Sequence, residues 1–67
     1  MKPVRLKDLK QGDFFTLKPV EYPTEARVYI RDVWDRSAKK YAVGKFSDAN
    51  DWRLMKGDKI VYTDFIF

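Results

Sequence analysis

Turn-forming residues break this chain at short intervals, and that spacing leaves little room for anything but β-structure. Gln11-Gly12-Asp13, the proline-containing stretch 18–23, and the polar segments 35–39, 47–51 and 56–59 each separate runs rich in aromatic and β-branched residues. Interruptions about every 8–12 residues, with no helical period between them, are the pattern of an all-β domain. With 67 residues the chain is expected to form one domain, 1–67. A domain this small buries only about 60% of its unfolded surface, so it cannot wrap a large cofactor.

The individual strands follow from composition and alternation. Residues 4–9 read as a short strand and turn, and 14–17 as a second strand. Pro19 and Pro23 forbid helix in the loop that follows. Residues 27–34 give the strongest strand, with Val28, Ile30 and Trp34 expected inward and Arg27, Tyr29, Arg31 and Val33 outward. Strands are expected again at 41–46, at 52–55 and at 60–67. In the last of these Val61, Thr63, Phe65 and Phe67 make the more apolar face, and Phe67 should tie the terminus into the sheet. Leu9-Lys10-Gln11-Gly12-Asp13-Phe14-Phe15 and Leu54-Met55-Lys56-Gly57-Asp58-Lys59-Ile60 echo each other as two similar turns feeding strands, too short for a repeat architecture. Closing such a sheet on itself removes its edges. The expectation is therefore a five- to six-stranded antiparallel barrel of the Src-homology-3 or Sm type. An oligonucleotide-binding barrel, or an open meander that dimerises through an edge strand, stands as the alternative.

What is missing narrows the chemistry. The chain has no Cys and no His, which removes the usual zinc ligands and the Ser–His and Cys–His nucleophile pairs. Gly12, Gly44 and Gly57 stand too far apart to form a phosphate-cradling loop. The carboxylate pairs Asp32/Asp35, Asp48/Asp51 and Glu21/Glu25 lack the groove that paired-acid hydrolysis needs, and Asp35 and Asp48 suit turns, where a carboxylate bonds backbone two positions on. A non-enzymatic protein without cofactor or metal is expected. The N-terminal residues contain no apolar signal-peptide core, and no apolar run approaches the ~20 residues of a membrane span. Cytoplasmic location without membrane association is the expectation.

Charge and rings then point to a surface. The net charge is +4, and it is unevenly spread: residues 36–46 carry Arg36, Lys39, Lys40 and Lys45 with no acid, and residues 1–20 carry a further excess of three. Arg31, Arg36, Lys39, Lys40 and Lys45 would neutralise phosphates, while Tyr29 and Tyr41 supply rings for base stacking and Trp52 a third platform. Single-strand nucleic-acid binders need that combination. The competing reading treats the lysines as a solvated hairpin tip. In that case Tyr22, in the proline-containing loop, and Trp52 would bind a protein partner or a second copy of the chain. Trp34 is expected in the core.

Three blocks of the chain resemble short hypothetical proteins of phages and mobile elements. They are Leu6-Lys7-Asp8-Leu9-Lys10-Gln11-Gly12-Asp13-Phe14-Phe15-Thr16-Leu17-Lys18-Pro19, then Val28-Tyr29-Ile30-Arg31 with Trp34-Asp35-Arg36-Ser37, and Lys56-Gly57-Asp58-Lys59-Ile60-Val61-Tyr62. The resemblance implies a phage or mobile-element setting, hence a host-cell cytoplasm and a host or phage protein as possible partner, and brings no catalytic motif.

Overall fold

In the computed structural model residues 2–65 are described. They form β1 (Lys2–Arg5), β2 (Phe14–Thr16), β3 (Val28–Asp35), β4 (Lys40–Lys45), β5 (Asp48–Met55) and β6 (Ile60–Thr63), with single 3₁₀ turns at Leu6–Asp8 and Glu25–Arg27. All six strands belong to one antiparallel sheet in the order β1-β6-β2-β3-β4-β5. The all-β expectation holds, but the sheet is not closed into a barrel. Leu6 and Lys7, which follow β1, donate their N–H groups at 2.9 Å to the carbonyls of Lys59 and Gly57. Among the described residues no helix is long and apolar enough to cross a membrane.

Leu6, Phe15, Val43, Met55 and Val61 form the buried core, with Val4, Leu9, Leu17, Tyr29 and Tyr41 packed around it. The first strand is shorter than expected because the chain turns at Leu6–Asp8, which swings Leu6 into this cluster. The expected turn at 47–51 is likewise reduced to Phe46-Ser47, since Lys45 already pairs with Asp48. Gly44 pairs with Trp52, so residues 49–51 of β5 bulge out without partners on β4. At the other end β6 stops at Thr63, where Asp64 takes a left-handed backbone (φ 61°). The anchoring role expected of Phe67 lies outside the described residues.

A second bulge decides which side chains share a face. Arg31 pairs with Val43 and Trp34 with Tyr41, so Asp32 and Val33 together stand opposite Ala42. One extra residue in a strand shifts its alternation by one step. Before the bulge, Tyr29 and Arg31 point to the core side and Ile30 to the other. After it, the even-numbered Trp34 joins Tyr29 and Arg31. The expected inward set Val28, Ile30 and Trp34 is therefore split. Val28 is fully buried, but on the face it shares with Thr16, and Trp34 is 45% exposed. Tyr29 and Arg31, expected outside, are half-buried on the core side.

Candidate functional site

Directly opposed residues in antiparallel strands lie on one face. The pairings Phe15–Tyr29–Lys45, Arg31–Val43–Arg53 and Trp34–Tyr41–Met55 therefore line up basic and aromatic side chains over the core. Tyr29 stacks on Phe15 with ring centres 5.8 Å apart, and the Arg53 guanidinium lies 5.8 Å from the Tyr29 ring centre. Further along, the Arg31 guanidinium sits 4.2 Å from the centre of the Tyr41 ring. Such a contact contributes up to about 2 kcal/mol when desolvated. The Nε of Arg31 is buried and has no hydrogen-bond partner among the described residues.

Tyr41 is held on further sides. The Trp34 ring meets it edge-on at 4.7 Å. Gly57 backs it so closely that a Cβ there would lie 3.0 Å from its Cε2 atom. Tyr29 and Tyr41 are thus supports packed against the core, and the ring most open to solvent on this side is that of Trp34. It borders a hollow of about 500 Å³ whose walls carry Tyr41, Lys7, Lys39, Lys40 and Lys56. A neighbouring hollow of about 420 Å³ is lined by Leu17, Leu54, Met55, Arg53 and Lys59. Lys40, Lys56 and the carboxylate of Asp58 form the wall common to both.

The β3–β4 turn holds two of these lysines in place. Asp35 Oδ1 accepts hydrogen bonds from the N–H groups of Ser37 (2.9 Å) and Ala38 (3.0 Å), and the Lys39 N–H donates to the Asp35 carbonyl at 2.8 Å. The turn closes with Lys39 at φ 56°. That left-handed conformation costs a non-glycine residue roughly 1–2 kcal/mol. Asp48 fills the turn role read from its position too, accepting from the Asn50 N–H at 3.0 Å.

The remaining candidates are distributed more widely. Arg36 is exposed in the same turn as Lys39. Lys45 stands across from Tyr29, 4.0 Å from Asp51, which also meets Arg53 at 3.7 Å. Tyr22 is 66% exposed in the loop between β2 and β3. Trp52, 63% exposed, lies on the opposite face in a row with Gly44, Ile30 and Phe14. Sequence reasoning passed over Trp34, Lys7, Lys56 and Arg53. The cluster Lys56-Gly57-Asp58-Lys59 signalled a turn, but only the long-range packing of Gly57 on Tyr41 brings it to the hollow.

No protein-family model matches the chain, and no curated protein or solved structure matches it either. The class defined by fold and site is a small open-sheet β domain with a lysine-walled aromatic hollow.

Proposed function

We propose that the protein binds single-stranded nucleic acid through the basic–aromatic side of β3, β4 and β5, without catalysing a reaction. The observation that carries this reading is the gathering of Lys7, Lys39, Lys40 and Lys56 around Trp34, the exposed ring of that side. Amines neutralise phosphates and an open indole face stacks any base, so the pair of features suits a strand whose bases are unpaired. Within this reading Arg31, Tyr29 and Tyr41 hold the platform, while Lys39 and Lys40 contact the backbone and Arg36 and Lys45 extend the positive field. The setting proposed is cytoplasmic and beside phage or mobile-element nucleic acid.

The test is fluorescence anisotropy of labelled single-stranded DNA, single-stranded RNA and duplex DNA over a range of salt concentrations. Tighter binding of single strands, weakening linearly in log–log form with salt, is the expected result. Absence of binding at low salt overturns the reading. A protein-binding alternative draws on one observation, the 63% exposure of Trp52 on the opposite face beside the side-chain-free Gly44. Loss of an interaction with another protein, or with a second copy of the chain, on Trp52→Ala would favour it.

A further inference from the structure

The two hollows have Lys40, Lys56 and Asp58 in common and therefore adjoin along one wall. Resting on the reading above, we infer that the paired hollows seat two consecutive nucleotides of a single strand, with the linking phosphate on Lys40 and Lys56 and one base stacked on Trp34.

Four features support this assignment. First, the shared wall carries lysines from two different segments, Lys40 from β4 and Lys56 from the turn before β6. A phosphate between two bases needs positive charge at such a midpoint. Second, the chemistry on either side differs as nucleotides require. One hollow offers the Trp34 ring with Lys7 and Lys39 beyond it; the other offers the apolar Leu17, Leu54 and Met55 with Arg53 and Lys59 at its rim. Third, Lys39 occupies a left-handed position that glycine would fill without strain. A strained residue that is not glycine raises the question of what its side chain does, which Lys39→Gly answers. Fourth, Arg31 and Gly57 brace Tyr41, and Tyr41 in turn holds Trp34 edge-on, so the stacking ring is fixed before any ligand arrives. Asp58 on the same wall repels phosphate and limits affinity, leaving the wall's two lysines to outweigh it.

The experiment uses the full chain carrying Trp52→Phe, so that Trp34 is the sole indole, with labelled ten-residue oligothymidylate and oligouridylate as the probes. Three readings are taken: anisotropy, quenching of the indole emission, and the thermal midpoint of each variant. Expected are quenching on binding and a loss of about 5–100-fold in affinity for Trp34→Ala. Lys40→Gln and Lys56→Gln should each weaken binding severalfold more than Lys18→Gln, which removes the same charge from the exposed β2–β3 loop. Lys39→Gly should lower affinity while the thermal midpoint stays or rises, a divergence that a merely structural lysine would not produce. If the oligonucleotides bind but Trp34 is not quenched and Lys40→Gln behaves like Lys18→Gln, the two-hollow assignment is overturned, and nucleic-acid binding stands but through another part of the surface. If neither oligonucleotide binds, both fall. Comparing the two probes separates a DNA strand from an RNA strand.

Discussion

The guanidinium of Arg31 covers the ring of Tyr41 at 4.2 Å while its own Nε is shut away from water and from any described partner. Two opposing contributions therefore meet in one side chain. The ring contact stabilises by up to about 2 kcal/mol, and a buried donor without an acceptor costs about 1–3 kcal/mol. Arg31→Met keeps much of the stem's packing and removes both. Its unfolding free energy in urea should lie within about 1 kcal/mol of the parent. A loss of 3 kcal/mol or more would mean that the guanidinium has a strong partner.

Gly57→Ala tests whether Tyr41 is wedged. The added methyl would meet Tyr41 Cε2 at 3.0 Å and Lys7 Cβ at 3.2 Å. Tyr41 already faces Arg31 and Trp34 on its other sides, so it has little freedom to retreat. A destabilisation of about 1–3 kcal/mol is expected from overpacking. An unchanged denaturation midpoint would show that the ring yields.

Phe15 is fully buried and stacks on Tyr29 in a core of few residues. Phe15→Ala should cost about 3–5 kcal/mol. A domain of 67 residues has a total stability on the order of 3–10 kcal/mol. Circular dichroism of the variant should therefore show a thermal midpoint lowered by more than about 10 °C, and a cooperative transition near the parent midpoint would contradict the assigned core.

Salt dependence counts phosphate contacts. For single strands each neutralised phosphate adds about 0.7 to the slope of log affinity against log salt. Removing one contacting amine by Lys40→Gln or Lys56→Gln should flatten that slope by about 0.7, and Lys18→Gln should leave it unchanged.

The strands and most turns were legible because hydrophobic runs and their breakers are local. Val61 entered the core from the face that alternation marked as the more apolar, and Asp35 and Asp48 bonded the backbone as their turn positions implied. Of the residues lining the hollow, Lys39, Lys40 and Tyr41 were singled out from the sequence, whereas Lys7, Lys56 and the ring of Trp34 were not. Nothing in Asp32-Val33 marks a bulge, since neither residue is glycine or proline, yet those two residues oppose Ala42 alone and reverse the alternation. That single irregularity places Trp34 on the face of Tyr29 and Arg31 and not on that of Val28 and Ile30, so the three residues expected together are parted. Closure was not legible either, because whether the two outermost strands meet is decided between distant segments and not within any window of sequence.

The margins of the open sheet carry a consequence for how molecules of this protein can live side by side. One margin, β1, contains Pro3, which offers no N–H, between the charged Lys2 and Arg5. The other, β5, is thrown out of line at residues 49–51 and carries Asp51 and Arg53. Neither is a template for a neighbour's strand. Copies of this protein brought together at high concentration are therefore expected to remain separate domains and not to join edge to edge.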